Sequence, residues 1–308
     1  MKRFFLVVAA SFFALIASAQ ELNVGSVNIR WNTKVDYKTN NGWNERKGHL
    51  CDLLNFEAFD LFGAQEATKV QIDDMLAAMP DYNYIGVARD DGATKGEYSP
   101  VFYRKDKFKL LDSGTFWLSE TPNQVSKGWD GRCRRVCTWG YFKPIGGGKS
   151  FYFLCTHLDH RGKVAQKEGA KLIINFIKEH CKGKKVVLVG DFNVAQNSEA
   201  YKTFAESGVL EDTYELAKYR FEPTGTFNGF NPTCYTNRRI DHIFVSKGSS
   251  VSRYGILTYH YLRDLKSAEQ EMGTAAPKVI KCEVREIKCI SDHYFVQSFV
   301  TLNGKRSK

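Results

Sequence analysis

The chain has 308 residues, of which 43% are hydrophobic and 14% aromatic, and its mean hydropathy is −0.38. This composition indicates a soluble globular protein with a full core, and it excludes a chain too polar to fold. The formal net charge is +10, with Lys2 and Arg3 contributing two of the positive charges. A basic surface suits nucleic acid, an anionic membrane or a phosphorylated substrate, and charge alone does not choose among them.

The N-terminal segment has the pattern of a signal peptide. A short basic start, Met1–Arg3, precedes the apolar run Phe4–Ile16, and the small residues Ala17–Ala19 follow. The run is too short to span a bilayer as a helix, so we expect no stable membrane insertion. The alternative is an N-terminal core helix. We predict a signal peptide over residues 1–19 and a mature chain, exported to the periplasm or the extracellular space, that starts near Gln20.

All of the cysteines lie in the predicted mature chain, and export would permit disulfides. They are Cys51, Cys133, Cys137, Cys155, Cys181, Cys234, Cys282 and Cys289. The spacings contain no CxxC pair, so they do not indicate a zinc site. The pairs Cys133 with Cys137 and Cys282 with Cys289 are the candidate bridges, and the other thiols are expected to fill apolar space.

The first half of the mature chain alternates predicted strands with predicted helices. The strands are Leu22–Trp31, Phe59–Glu66, Tyr82–Ala88, Ser99–Arg104 and Phe108–Phe116, the last two expected to pair. The helices are Glu45–Phe56 and Val70–Met79, the second stopped by Pro80. An irregular insertion, Leu118–Trp129, precedes a cluster of arginines.

The second half begins with a predicted hairpin across a turn of three glycines at 146–148. Its strands and those that follow are Thr138–Pro144, Phe151–Thr156, Lys185–Asp191, Arg239–Val245, Val251–Tyr259 and a last strand that ends near Leu302. Helices are predicted over Lys163–Glu179 and Ser198–Ser207, a surface loop over Pro223–Thr236 and a mobile polar segment over Tyr261–Lys278. No internal repeat or change of composition appears, so residues 20–308 are predicted to form one domain.

The strand Lys185–Asp191 has the strongest signal in the chain. Its four consecutive aliphatic residues indicate a strand that is buried on both faces. It ends on Asp191, and Asn193 follows two positions later, on the same side if the strand continues. A turn would also explain an aspartate and an asparagine at this point.

Polar side chains recur near strand ends along the whole chain. They are Asn28, Glu66, His157, Asp191, Asn193, Asp241, Asp292 and His293. A turn residue or a hydrogen-bonded core histidine would explain any one of them. Together they contain what hydrolysis of a phosphate ester requires, beginning with hard oxygen ligands for a divalent cation from Asn28 and Glu66.

The remaining groups match the other needs of that reaction. Asp191 is the candidate for taking a proton from the attacking water. Asn193, His157 and His293 can hold the non-bridging oxygens of the phosphate. Asp241 can orient His293 in a His–Asp pair.

Six strings in this order make the chain similar to the endonuclease/exonuclease/phosphatase superfamily. They are Ser26-Val27-Asn28-Ile29-Arg30, Gly63-Ala64-Gln65-Glu66, Thr156-His157-Leu158-Asp159, Gly190-Asp191-Phe192-Asn193, Arg239-Ile240-Asp241-His242-Ile243 and Ser291-Asp292-His293. The superfamily includes pancreatic-type deoxyribonuclease, abasic-site endonuclease, neutral sphingomyelinase, inositol polyphosphate 5-phosphatase and the deadenylases. The stretch Phe116–Trp139 resembles its bacterial secreted branch and, more loosely, its deadenylase-like branch.

The resemblance implies a fold of the α+β class, a four-layer αββα sandwich of two packed, mainly antiparallel β-sheets flanked by helices. It implies that Asn28, Glu66 and Asp292 hold Mg²⁺ or Mn²⁺. It also implies phosphate binding by Arg135. The tyrosine that abasic-site endonucleases place near the phosphate has no counterpart in Lys163–Ala170, which argues against that specificity.

For the catalytic and phosphate-binding residues, the resemblance implies the same roles as the chemical argument above. Asp191 would activate water, Asn193 and His157 would contact the phosphate, and His293, oriented by Asp241, would stabilise the transition state.

We therefore expect an exported, monomeric, metal-dependent phosphoesterase, with a phosphodiester in nucleic acid as the leading substrate. That preference comes from the basic chain and from a group of arginines, Arg132, Arg134, Arg135, Arg238 and Arg239. Phosphomonoesters, phospholipids, sugar phosphates and inositol phosphates stay open, because fold and motif do not fix a substrate. No membrane-binding hairpin is recognisable, which argues against a sphingomyelinase. The alternative from another class is a non-catalytic anion-binding protein.

Overall fold

Two β-sheets pack against each other in the computed structural model, which describes residues 21–272 and 280–303. The predicted signal peptide lies outside the described residues. The strands are β1 (Glu21–Asn28), β2 (Leu61–Gln65), β3 (Tyr82–Ile85), β4 (Val101–Arg104), β5 (Phe108–Trp117), β6 (Val136–Pro144), β7 (Phe151–His157), β8 (Lys185–Asp191), β9 (Leu210–Asp212), β10 (Ala217–Phe221), β11 (Asp241–Ser246), β12 (Ser250–Leu257), β13 (His260–Met272), β14 (Ile280–Cys289) and β15 (Phe295–Thr301). The helices are α1 (Lys34–Tyr37), α2 (Trp43–Glu57), α3 (Lys69–Ala78), α4 (Lys163–Glu179), α5 (Glu199–Ala205) and α6 (Thr213–Leu216).

The first sheet has the strand order β10-β12-β15-β1-β2-β4-β3, and the second has the order β5-β6-β7-β8-β11-β9. Neighbouring strands run parallel only at β10–β12, β1–β2 and β7–β8 among the described strands. The prediction of mainly antiparallel sheets is therefore confirmed. Strands β13 and β14 form a separate antiparallel hairpin.

The four layers of the sandwich, helices, sheet, sheet and helices, are held together by three hydrophobic clusters, one at each interface between layers. The central cluster lies between the sheets and joins residues such as Val24 of β1 to Phe153 of β7 and Val187 of β8. A second cluster packs α2 and α3 against the first sheet, and a third packs α4 and α5 against the second sheet. Each strand of the centre is thus buried on both faces, which explains the unbroken aliphatic run in β8.

Gly63 of β2 allows the two sheets to approach closely just below the predicted site. A Cβ atom at this position would lie 2.5 Å from Sγ of Cys155 and 2.5 Å from Cγ2 of Val189. Neither contact is compatible with a side chain, because core atoms do not pack closer than about 3.5 Å. The glycine therefore brings the carboxyl end of β2 next to the carboxyl ends of β7 and β8.

Two of the predicted elements differ from the structure. The predicted partner of Ser99–Arg104 was Phe108–Phe116, but β5 pairs with β6 in the other sheet, and β4 pairs with β2 and β3. The chain crosses between the sheets at this turn, a step that local pattern does not signal. Of the segment predicted as mobile, Tyr261–Lys278, residues 261–272 belong to β13, where His260 pairs with Cys289, and residues 273–278 lie outside the described residues.

Among the described thiols, neither of the two candidate bridges is formed. The thiols of Cys133, Cys137 and Cys289 are free, and the side chain of Cys282 lies outside the described residues. Cys137 is fully buried in the layer between the second sheet and α4, whereas Cys133 is half-buried in the loop before β6. A spacing of four residues therefore places these thiols in different environments. Among the described residues, no helix is long and apolar enough to cross a membrane.

Candidate active site

Three predicted site residues form a row across neighbouring strands of the second sheet. His157 at the end of β7 is paired in register with Asp191 at the end of β8. Asp191 is paired in turn with Asp241 at the start of β11. The parallel strand pair and the reversed third strand deliver an imidazole and two carboxylates to one edge of the sheet, as the sequence predicted.

The first sheet contributes two more residues at the same edge. Asn28 ends β1 and Glu66 directly follows β2. The amide nitrogen of Asn28 donates to Oε1 of Glu66 at 3.2 Å and to Oδ2 of Asp191 at 3.0 Å. Glu66 has a positive φ of 63°, and its Oε2 oxygen accepts from the backbone of Trp31 at 3.1 Å. Asn28 therefore connects the carboxylates of the two sheets.

Asn193 reaches the site through a left-handed backbone rather than through strand alternation. The strand ends at Asp191, and Asn193 has a φ of 51°. Its backbone nitrogen donates to Oδ1 of Asp191 at 2.8 Å. Its amide nitrogen lies 2.9 Å from Nε2 of His157 and donates to the carbonyl of Leu158 at 3.0 Å. Asn193 thus fixes the positions of both neighbours.

The segment Ser291–His293 joins the site from the other end of the chain. The hydroxyl of Ser291 donates to the backbone carbonyl of Asn28 at 2.7 Å, which anchors the segment on β1. Oδ2 of Asp292 then lies 3.4 Å from Nη1 of Arg30. On the next residue, Nδ1 of His293 donates to Oδ2 of Asp241 at 2.8 Å.

Burial and charge shift the pKa values of these groups in opposite directions. Burial raises the pKa of Asp191 to about 7, and the neighbouring charge of Asp241 adds to that effect. Burial also raises the pKa of Asp292, with a contribution from the charge of Glu66. Burial disfavours the charged form of His293, but the carboxylates of Asp241 and Asp191 outweigh it, so the pKa of His293 lies well above its usual value.

His157 is held neutral. Burial lowers its pKa well below the usual value, and the charges of Arg135 and Arg89 lower it further. Its Nε2 atom accepts from Asn193 and lies 3.3 Å from Oδ2 of Asp191. Of these two imidazoles, that of His157 is therefore neutral and that of His293 is charged.

The donor set at this edge fits a divalent cation. Ligand atoms of Glu66, His157 and Asp191 lie within 4.8 Å of one another, and so do those of Asp191, Asp241 and His293. One oxygen of Asp241, Oδ1, is buried and has no hydrogen-bond partner. Carboxylate oxygens are the ligands that Mg²⁺ and Mn²⁺ prefer, and a cation here would relieve the repulsion between these acids. Coordination by the amide oxygen of Asn28 would require rotation of its amide group by 180°.

Arg135 lies on the wall of the same pocket, as predicted. Its side chain is buried, and its Nη2 atom donates to Nδ1 of His160 at 3.1 Å. Its Nε and Nη1 atoms have no hydrogen-bond partner. The nearest acceptors are carboxylates at ion-pair distance: Nε lies 3.8 Å from Oδ2 of Asp159, and Nη1 lies 4.0 Å from Oε2 of Glu97. Arg135 therefore brings a positive charge to the pocket wall, and an anion in the pocket would be attracted to it.

Three residues of this wall had no predicted role: Arg89, Glu97 and His160. Arg89 and Glu97 form a two-fold ion pair with both distances at 2.7 Å, and Oε2 of Glu97 lies 4.0 Å from Nδ1 of His157. They lie in a loop without periodicity, so the sequence pattern gave no signal for them. For His160, the only signal in the sequence was its position three residues after His157.

The pocket has a volume of about 510 Å³, and two exposed aromatic side chains, Trp31 and Phe227, are among the residues that line it. Its other lining residues include Glu66, Asp191 and His293. The predicted site residues therefore converge on one pocket. Asn28 and Asp241 do not line the pocket themselves. Asn28 contacts the pocket residue Asp191, and Asp241 contacts the pocket residue His293.

The arginines that favoured nucleic acid are more scattered than predicted. Arg239 does not face the pocket, since its Nη1 atom pairs with Asp212 at 3.0 Å and its guanidinium lies 3.9 Å from the ring centroid of Tyr214. Arg132, Arg134 and Arg238 are exposed on the surface. Of this group only Arg135 lines the pocket, which weakens the charge argument for a polymeric substrate.

Comparisons with known proteins agree with this geometry. The sequence model of the Endonuclease/Exonuclease/phosphatase family matches residues 25–293. A structure of a protein of that family from Bacteroides thetaiotaomicron is 41% identical, covers 92% of this chain and 98% of its own, and superimposes with a TM-score of 0.84.

A mannosyl-6-phosphatase from the same organism is 42% identical, covers 91% of this chain and 99% of its own, and has a TM-score of 0.82. An uncharacterized protein of Acanthamoeba polyphaga mimivirus, L388, is 24% identical over 159 residues. The chain spans 59% of the length of this viral relative, and the match covers 49% of the chain.

Proposed function

The chain belongs to the endonuclease/exonuclease/phosphatase family of phosphoester hydrolases, and we propose that it is a phosphatase that removes a terminal phosphate from a sugar. The family is dependent on divalent metals, and the site has acidic and histidine groups that could hold one. The observation that carries the proposal is the walled pocket, which is lined both by the buried guanidinium of Arg135 and by the carboxylates of Glu66, Asp191 and Asp292.

Glu66 would hold the metal, with Asn28 and Asp292 beside it. Mg²⁺ is the proposed ion, with Mn²⁺ as a substitute, because the donor set is dominated by oxygen. When bound, the ion would neutralise negative charge on the phosphate oxygens.

Asp191 would take the proton of the attacking water, in line with its position at the centre of the row. The new bond joins the water oxygen to phosphorus, the bond from phosphorus to the sugar oxygen breaks, and that oxygen takes up a proton as the sugar leaves. His293, charged and held by Asp241, would donate to a non-bridging oxygen as negative charge accumulates there.

The polar groups around the carboxylates support a monoester rather than a diester. A terminal phosphate carries three non-bridging oxygens and up to two negative charges, so it needs more donors than a diester does. Arg135, Asn193 and His157 are the proposed contacts. Arg135 would attract the phosphate through its charge. Asn193 and His157 would reach the phosphate by giving up the hydrogen bond that they now make with each other.

His160 and the aromatic rim would hold the sugar. A guanidinium can only donate, so Nδ1 of His160 accepts from Arg135 and its Nε2 atom carries the proton. A donor beside the phosphate can bind a sugar hydroxyl. The exposed rings of Trp31 and Phe227 can cover the apolar face of a sugar ring. The name of the mannosyl-6-phosphatase relative supports this substrate class.

A phosphodiester in nucleic acid, the substrate expected from composition, is the second candidate. The exposed Arg132, Arg134 and Arg238 and the net charge of +10 favour it. A substrate panel separates the two: mannose 6-phosphate, glucose 6-phosphate, bis-p-nitrophenyl phosphate and single-stranded DNA, each with Mg²⁺ and with EDTA. Metal-dependent phosphate release from the sugar phosphates, at least tenfold above diester cleavage, is expected. Faster cleavage of the diester or of DNA would overturn the proposal, and no turnover with any substrate would favour a binding protein.

We also propose that the protein is exported and acts as a monomer. The basic, apolar and small-residue pattern of residues 1–19 supports export. Mass spectrometry of protein recovered from the periplasm or medium of a bacterial host should give a mature chain that starts at Gln20. Light scattering should give the mass of one chain.

A further inference from the structure

A lysine-rich groove lies at the end of the second sheet opposite the active site. Its volume is about 870 Å³. No aspartate or glutamate is among the described residues that line it. Seven lysines do: Lys143, Lys149, Lys178, Lys182, Lys184, Lys185 and Lys247.

Strand β8 separates the groove from the active site. The strand begins at Lys185, which lines the groove, and ends at Asp191, which lines the catalytic pocket. Six residue steps along an extended strand span about 20 Å. A ligand in the groove therefore would not contact the reacting phosphate.

Some lysines of the described chain have carboxylate partners, but the groove lysines, like the exposed Lys38, Lys127 and Lys218, are in none of these ion pairs. Six other lysines form ion pairs: Lys47, Lys69, Lys107, Lys167, Lys171 and Lys288. Within the described part of the chain, none of the seven groove lysines is in such a pair. Lys185 donates instead to the carbonyl of Lys247 at 2.8 Å, and Lys184 lies 5.8 Å from the ring centroid of Tyr141.

Seven ammonium groups around one concavity repel each other, which destabilises the folded chain unless an anion compensates. The end of α4 accounts for little of this cluster, because only Lys178 lies in its last turn, where a cation interacts favourably with the helix dipole. The lysine cluster therefore lowers the stability of the folded chain and, within the described residues, makes no ion pair that offsets this cost. Such a destabilising cluster of like charges is typical of a binding site.

We propose that this groove binds an acidic polysaccharide, a flexible chain carrying sulfate or carboxylate groups. Lysine is a point charge that suits such groups without fixed geometry. The lining has no arginine, and its one aromatic ring, Tyr141, already stacks on Tyr152 at 4.5 Å. Bases of a nucleic acid would find no free stacking surface. A concave floor also disfavours a flat membrane. The inference does not depend on the proposed phosphatase activity.

The test compares two triple variants with the same change in net charge. The groove variant carries Lys149→Gln, Lys182→Gln and Lys247→Gln, and the control carries Lys38→Gln, Lys127→Gln and Lys218→Gln, all at exposed positions. The probe is a fluorescent heparin decasaccharide, measured by anisotropy at 50 and 150 mM NaCl. We expect wild-type binding that weakens with salt, a loss of at least tenfold in the groove variant, and a change below twofold in the control.

The groove variant should also melt at the same or a higher temperature than the wild type at low salt, since it relieves repulsion. A lower midpoint would mean that the lysines are structural, and it would overturn the proposal. Equal weakening in both variants would mean that net charge alone attracts the probe. Tighter, groove-dependent binding of single-stranded DNA or of phosphatidylserine vesicles would overturn the assigned class of ligand. Activity on a small phosphate ester should be the same in all three proteins.

Discussion

The Nδ1 atom of His293 donates to Oδ2 of Asp241 at 2.8 Å, and its Nε2 atom lies 3.8 Å from Oδ2 of Asp191. One imidazole therefore lies between two carboxylates that belong to adjacent strands. Because these charges keep the pKa of His293 well above its usual value, the ring stays charged at neutral pH despite its burial. Its favourable contribution to stability is complete below its unfolded pKa of about 6.5 and is lost as pH rises through the folded value.

The substitution Asp241→Asn should lower the pKa of His293, because it removes the larger of the two charges that raise it. The alkaline limb of the pH profile of kcat/KM should move to lower pH by about one unit or more, with kcat down by roughly 10²–10³. The measurement is a pH–rate profile with saturating Mg²⁺ between pH 5 and 10. An alkaline limb that stays in place would show that Asp241 does not control this charge.

The substitution Asp191→Asn should abolish turnover and, in the metal-free protein, should not reduce stability. A carboxyl whose folded pKa is about 7 binds more protons folded than unfolded, so the metal-free protein loses stability as pH rises from about 4 to 7. The amide has no charge to bury, so the variant should unfold at the same or a higher temperature at pH 8 in EDTA. Thermal unfolding at pH 5 and pH 8 tests this. A midpoint at pH 8 well below that of the wild type would contradict the assigned environment of Asp191.

The substitution Glu66→Gln should weaken metal binding by about 10–100-fold, because it replaces a charged oxygen ligand with a neutral one. Isothermal titration with Mn²⁺, which needs no substrate, gives the affinity directly. Asp74→Asn is a suitable control, because Asp74 lies outside the pocket and pairs with Lys47. Equal Mn²⁺ affinity in wild type and Glu66→Gln would remove Glu66 from the metal site.

Arg135 and Arg134 provide a matched pair of neighbouring positions, one buried and one exposed. Arg135→Gln should lower kcat/KM on the substrate by about 10²-fold, since the anion loses a charged donor in a desolvated pocket. Arg135→Lys should recover little, because an ammonium cannot reproduce the planar donor set. Arg134→Gln should stay within about twofold of wild type, as expected for an exposed charge. Equal losses at both positions would indicate a general charge effect.

His160→Asn tests the proposed sugar contact. The Oδ1 atom of asparagine can replace Nδ1 of His160 as the acceptor for Arg135, while the donor at Nε2 is lost. kcat/KM for a sugar phosphate should fall by about 5–30-fold, the effect of one lost hydrogen bond to a neutral hydroxyl. p-Nitrophenyl phosphate lacks sugar hydroxyls, so its kcat/KM should change by less than about twofold. A similar loss with both substrates would assign His160 to the phosphate rather than to the sugar.

The sequence predicted most of the fold and the core of the site. Buried strands and amphipathic helices leave periodic patterns, so α4 was predicted at its observed bounds, Lys163–Glu179, and the aliphatic run before Asp191 was predicted as the buried strand that is β8. Polar residues that end such strands stand out against their apolar neighbours. For that reason Asn28, Glu66 and Asp241 could be named before any geometry was known.

Other features were decided only by the tertiary structure. The crossing of the chain between sheets after β4, the buried ion pair of Arg89 and Glu97, and the separation of Cys133 from Cys137 all depend on which surfaces meet. The inward position of Arg239 against Asp212 is of the same kind. Local pattern reports whether a residue faces apolar or polar surroundings, because burial repeats with the period of the strand or helix. It does not report which distant residue lies opposite, because that partner is set by the packing of whole layers.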